Sequence, residues 1–293
     1  MLSYRRSRMF IAVVTVSIAA VCSDRAFDAQ AQAFVPVAYE SVGKASSATP
    51  ASAASIGYSR LGLGIAWPIA LRSGRLVAGV RYDRVGFTYG EWPSALPAPD
   101  AVHHVRLELI LQRPLSRDWE ATVLVAPGWA SDFTKAVHAG DANLGIAALL
   151  ARTWSERVKA GFGVSYVTDR GPAMLPVVRV LWQRGRMSAD LIAPSAANVW
   201  YRIMPAARVG FAWRGVALPY HLNATEAAGG EWTLRRQVFS LAPALRVHAA
   251  GSLYLHLEGG MTLRNRLVYL SGREKTTLDH DPSFFFWVGL VVE

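Results

Sequence analysis

The chain has 293 residues, 52% of them hydrophobic, with a single cysteine and a formal net charge of +10. One cysteine, Cys22, rules out a disulfide framework, and because it lies near the start, it also leaves the rest of the chain without a thiolate nucleophile or a cysteine metal site. Nucleic acid is the usual partner of such a charge. Removing the four Arg and two Asp of residues 1–33 leaves +8, however, and the remaining basic residues stand mostly singly rather than in a patch interleaved with aromatics, which argues against it.

Arg5, Arg6 and Arg8 precede an apolar run from Met9 to Val21, and the following Ala-rich stretch ends in Ala31-Gln32-Ala33. This is the pattern of a secretory signal peptide cleaved after Ala33. The apolar run is well short of the roughly 20 residues a spanning helix needs. Residues 34–293 then read as one domain. Its longest apolar runs, such as "NLGIAALLA" and "FFFWVGLVV", are shorter still, so any membrane crossing must be made by strands.

Period-two alternation between turn signals predicts strands at 34–43, 55–70, 75–90, 102–113, 118–130, 142–153, 157–168, 174–184, 186–193, 204–213, 215–221, 234–248, 252–269 and 283–292. That makes fourteen, or twelve if the short runs at 186–193 and 215–221 are discounted. Links after the even-numbered runs are tight: "RSG", "LSRD", "WSE", Gly185, "RG" and "AAG". Links after the odd-numbered runs are mostly long, among them "EWPSALPAPDA", "SDFTKAVHAGD", "APSAANVWYRI" and "LSGREKTTLDHDP". Outer-membrane barrels sort their connections in this way, with an even strand number, tight periplasmic turns and longer outer loops.

Side-chain chemistry alternates too. In "GSLYLHLEGGMTLRNR", Leu253, Leu255, Leu257, Met261 and Leu263 share one parity, while His256, Glu258, Thr262 and Arg264 take the other. On this pattern the leucines face lipid and Thr262 is a lumen position tolerant of a larger polar side chain. In "HVRLELILQ", Ile110 is out of place among Arg106, Glu108 and Gln112. Trp67, Trp119, Trp129, Trp154, Trp182 and Trp213 fall near run ends, where aromatic girdles meet the two membrane interfaces. The expected fold is therefore all-β, a transmembrane antiparallel up-and-down β-barrel. A soluble periplasmic β-sandwich is the alternative.

"SRLGLGIAWPIALRSGRLVAGVRYDRV", "LILQRPLSRDWEATVLVAPGWASDF" and "GFGVSYVTDRGPAMLPVVRVLWQRGRMSADLIAPSAANVWYR" resemble a family of Gram-negative outer-membrane β-barrel proteins known only as a domain of unknown function. Pro68, Pro114, Ser131-Asp132-Phe133, Leu175-Pro176 and Ala193-Pro194 carry the resemblance. It implies an outer-membrane location among lipid, and biogenesis by periplasmic chaperones and the barrel-assembly machinery. It assigns no catalytic residues.

The chemistry of a lipid-modifying barrel enzyme needs a Ser activated by a neighbouring His, and no His lies two positions before a Ser on one strand face. His103 and His104 point to opposite faces, His248 and His256 lack a third ligand, and "DHD" at 279–281 reads as a solvated turn. No cofactor or metal is expected. The candidates that remain are charges and a histidine of the inward parity: Arg81, Asp83, Arg106, Glu108, Glu120, Lys159, Arg179, Asp190, Arg208, Arg246, His256, Glu258 and Arg264. They suit a pore for small polar solutes or a paired network that stiffens a structural envelope barrel.

Overall fold

The computed structural model describes residues 37–46, 54–137, 139–168, 172–223, 231–251, 253–272 and 274–292. The leader assigned to residues 1–33 lies outside them. Fifteen strands follow one another: β1 (Val37–Ser46), β2 (Ser55–Leu71), β3 (Gly74–Tyr89), β4 (Ala101–Pro114), β5 (Trp119–Ser131), β6 (Ala142–Ser155), β7 (Val158–Thr168), β8 (Pro172–Arg184), β9 (Met187–Ala193), β10 (Ala196–Met204), β11 (Ala207–Leu222), β12 (Trp232–Ala250), β13 (Leu253–Ser271), β14 (Glu274–His280) and β15 (Phe284–Val292).

Each strand from β1 to β13 pairs antiparallel with its neighbour, and β15 pairs with both β13 and β1. The sheet therefore closes into a ring, which excludes the sandwich. β14 pairs only with β13, so the ring itself has fourteen strands and β14 is a flap beside its loop end.

The count agrees with expectation, but two strands in it were read differently. "APSAANVWYRI" is not an outer loop: only Pro194 and Ser195 turn the chain, and β10 follows at once. "RG" at 214–215 is not a turn either. Arg214 and Gly215 pair in register with Ser240 and Phe239 inside the continuous β11. One strand was missed and one divided, so the errors cancel. The cause is physical: β10 carries bulky residues on both faces, Trp200 buried and Tyr201 exposed, which blurs its alternation. Trp213 is consequently a mid-strand residue, not a girdle one.

β-Bulges adjust two further expectations. The register shift opposite Phe239 and Ser240 places Thr262 and Asn265, each 1% exposed, inside and leaves Arg264 exposed on the outer face. Arg264 is thus removed from the interior set. Thr262 is no tolerant site, since its hydroxyl donates to the Ser283 carbonyl and accepts from the Ser283 amide. The remaining leucine parity agrees with an outward apolar face, with Met261 and Leu263 strongly exposed.

The six connections 72–73, 115–118, 156–157, 185–186, 205–206 and 251–252 lie at one end, the turn end. The loop end carries the rest. With the turn end in the periplasm, a cysteine placed at the exposed positions Ala95 or Ala139 is expected to react with an impermeant maleimide on intact cells, and one at Ser73 or Ser155 is not. Labelling at Ser73 would invert the path.

Candidate functional site

The interior is where polar side chains of separate strands meet. On β3, Asp83 is fully buried and is shared by three guanidinium groups: Arg60 at 2.8 Å, Arg81 at 3.2 Å and Arg106 at 3.8 Å. Arg106 also donates to Glu108 at 2.6 Å. Gly62 makes room for this centre, because a Cβ there would lie 2.9 Å from an Asp83 oxygen. Such a carboxylate is the charge that allows three cations into one small volume.

A second centre lies near β13. Arg214 of β11 grips both carboxylate oxygens of Glu258, with Nε to Oε2 at 2.9 Å. His256 Nε2 is 2.8 Å from the same carboxylate, and its Nδ1 accepts from Arg246 Nε at 3.3 Å. That pattern fixes the proton on Nε2. Trp200 and Trp287 meet the imidazole edge-on from either side, and Arg246 lies over Trp200. Towards the loop end, Arg236, 1% exposed, stacks 3.6 Å over Tyr58 and reaches Glu40 at 3.4 Å.

Nearer the turn end, Lys159 pairs with Glu120 and Arg179 with Asp190. Glu120, Lys159 and Arg179 line a small recess of mixed character with Thr122, Leu149 and Leu181. Arg208 covers the ring of Tyr254. Twelve of the thirteen expected interior residues thus fall into paired groups or ring contacts, Arg264 excepted. Parity reading missed Glu40, Arg60, Arg214 and Arg236. Glu40, Arg60 and Arg214 each follow or precede an outward apolar residue, Tyr39, Leu61 and Trp213, but Arg214 sat in a supposed turn; Arg236, between Arg235 and Gln237, shows no alternation at all.

The two lone-histidine readings resolve simply. His103 shares a 2.7 Å hydrogen bond with Tyr82, while His104 points inward towards Arg106. His248 bonds to the Gly251 carbonyl and stays apart from His256. In "DHD", Asp279 belongs to β14 and pairs with Arg266, so this stretch is not a free turn. Among the described residues no group of three His, Cys, Asp or Glu is placed to hold a metal.

The loop end of the lumen is filled differently. Tyr58, Val85, Val102 and Ala130 of β2–β5 form one apolar cluster with Tyr220, Leu222, Leu234 and Tyr269 of β11–β13. Trp92, from the β3–β4 loop, packs on Tyr89 and Tyr269. Ile110, the misfit of its strand, belongs to a smaller inward cluster with Val77, Leu124 and Ala147.

The larger cluster exists because β10 stops short. Beyond Arg214, β11 has no β10 partner and leans across the mouth until His221 pairs with Ser131 of β5, six strands away around the ring. A clasp holds it there. Asn223 donates from its backbone to Asp132 Oδ2 at 3.1 Å and from its side chain to Asp132 Oδ1 at 3.0 Å and Ser131 Oγ at 3.3 Å. Asp132 N in turn donates to the His221 carbonyl. Phe133 adopts φ 48°, a left-handed conformation rare outside glycine, and its ring packs on His103. Although Ser, His and Asp gather here, Ser131 is fully buried and its hydroxyl accepts from Asn223 and from the Phe133 amide, so it offers no nucleophile to a substrate.

The sequence profile of a domain-of-unknown-function family, DUF6268, matches residues 93–292. The chain belongs to that family. The Ser131-Asp132-Phe133 clasp, the short β9–β10 hairpin and the Glu258 centre all lie within the DUF6268 match.

No curated relative matches the sequence. Among solved structures, this DUF6268 chain is similar to the NanC porin (12% identity, TM-score 0.40, covering 88% of this chain and 99% of that one). It is similar also to the KdgM porin, solved in complex with disordered oligogalacturonate (7%, 0.35, 88% and 98%). A third is the toluene transporter TodX of P. putida (9%, 0.42, 92% and 91%).

Proposed function

We propose that this DUF6268 barrel is an outer-membrane channel for small polar solutes that rests closed, exported by a cleavable leader ending at Ala33 and inserted by the barrel-assembly machinery. The observation that carries the reading is the division of the lumen. Charged pairs occupy its middle and turn end, whereas the apolar filling at the loop end depends on strand tips tied down at the Asp132–Asn223 clasp. A barrel filled only for stiffness gains little from buried ion pairs, since apolar packing of similar volume is as stable or more so. A polar path beneath a detachable lid accounts for both fillings.

Conductance in a planar bilayer tests this. The unmodified protein is expected to open rarely, and Asp132→Ala with Asn223→Ala to open often, with a weak anion preference because arginine exceeds carboxylate along the path. The preference should fade at 1 M salt, where the Debye length is about 3 Å. A disulfide between Ser131→Cys and His221→Cys should hold the barrel shut until reduced. Folded clasp variants that never conduct would favour the second reading, a structural envelope barrel, which the continuity of the apolar cluster supports.

A further inference from the structure

The charge of the protein is divided between its two ends. Four of the six tight turns contain an arginine, namely Arg72, Arg117, Arg157 and Arg186, and Arg208 lies two residues beyond a fifth, with Asp118 and Glu156 the carboxylates among them. The loop end is more acidic, displaying Glu91, Asp100, Glu231, Glu274 and Asp281 against Lys44, Lys135 and Lys275. A β-turn needs no arginine for its geometry, so this distribution calls for a partner.

The outward face just above the turns specifies one. Arg152 and Trp119 are cross-strand partners on β6 and β5, on the parity opposite the buried Leu149 and Ala151. The Arg152 guanidinium lies 4.5 Å from the ring centre of Trp154, which is 64% exposed, and 5.7 Å from that of Trp119. Two indoles thus hold a cation on the lipid-facing wall. Among the described residues it has no carboxylate or carbonyl partner, and its Nε is shielded from water without an acceptor. Arg113 and Arg184 flank it on the same outward parity, and both are exposed. An unpaired guanidinium at membrane depth is costly unless an anion meets it. In the interfacial girdle that anion is a lipid phosphate.

We propose that Arg152, held between Trp119 and Trp154, is a binding site for the phosphate of an anionic phospholipid in the leaflet surrounding the turn end, with Arg113 and Arg184 extending the basic rim. Planar guanidinium geometry suits phosphate oxygens, and the indoles keep the fork from rotating away. The site is independent of whether the lumen conducts.

Native mass spectrometry of the folded full-length barrel, with equimolar phosphatidylglycerol and phosphatidylcholine added in detergent, provides the test. The wild type is expected to retain phosphatidylglycerol preferentially, and Arg152→Gln to lower that retention about fivefold, the equivalent of about 1 kcal/mol for one basic residue at an anionic surface. Arg152→Lys, which keeps charge but loses the planar fork, should fall between them, and Arg264→Gln, an exposed arginine towards the loop end, should match wild type. Heat-modifiable gel mobility verifies folding in every variant. Equal retention of the two lipids by wild type, an unchanged preference in Arg152→Gln, or displacement by lipopolysaccharide but not by excess phosphatidylglycerol would each overturn the assignment.

Discussion

Replacing Asp83 by asparagine is expected to destabilise the folded barrel by about 3–5 kcal/mol, the cost of removing one partner from a buried ion-pair cluster. Asp83 is fully buried, and Arg60, Arg81 and Arg106 converge on its two oxygens. Glu108 pairs with Arg106 and Glu40 faces Arg60 across the strand pair, but neither reaches the centre that Asp83 occupies. Asparagine is nearly isosteric, which confines the effect to charge and leaves the fit beside Gly62 unchanged. The consequence is three guanidinium groups, Arg106 buried and Arg60 and Arg81 half-buried, with only Glu108 and Glu40 left near them. A double variant that also carries Arg106→Gln should recover part of the loss, because one of the stranded charges is then gone. Urea titration of the protein in lipid vesicles, read by tryptophan fluorescence, measures both. Equal stability of wild type and Asp83→Asn would mean that the cluster is solvated and the interior is open to water at this level.

Leu257→Arg is expected to cost about 2–4 kcal/mol in the same titration, the range for a cation on the lipid face near the bilayer midplane. Leu257 pairs with Leu245 and Val288 on the outward side of β13, between the inward His256 and Glu258. Its distance from the turn at Gly251 places it well inside the apolar band. The same change at Arg264's neighbour Leu263, nearer the loop end, should cost less, since the penalty falls towards zero at the interface. Identical effects at 257 and 263 would sink the assignment of a membrane-depth gradient along this strand.

These two expectations rest on different kinds of information. Leu257 could be placed from the chain alone. Side chains alternate strictly in a strand, so once Leu253, Leu255 and Leu257 share a parity they share a face, and loop lengths sorted by parity close the runs into a barrel. The outward wall, the girdle tryptophans at 119, 154 and 182, and most of the interior charges follow from that local rule. The rule failed where a strand departs from regular alternation. At β13 a bulge moved Arg264 outside, and at β10 aromatics on both faces hid a strand.

Which charges meet was beyond any local rule. Arg236 reaches Tyr58 and Glu40, and Arg214 reaches Glu258, across strands that are not neighbours. The clasp between Asp132 and Asn223 joins residues 91 apart in sequence. The all-β barrel class and the membrane-facing chemistry of most strands are therefore written in the chain, because each depends on periodicity along a single segment, whereas the strand count came out right only through two cancelling errors at β10 and β11. Closure of the lumen was decided only in three dimensions: β10 ends early, β11 loses its partner beyond Arg214, and the free tip satisfies its backbone and buries Tyr220 and Leu222 by crossing to β5.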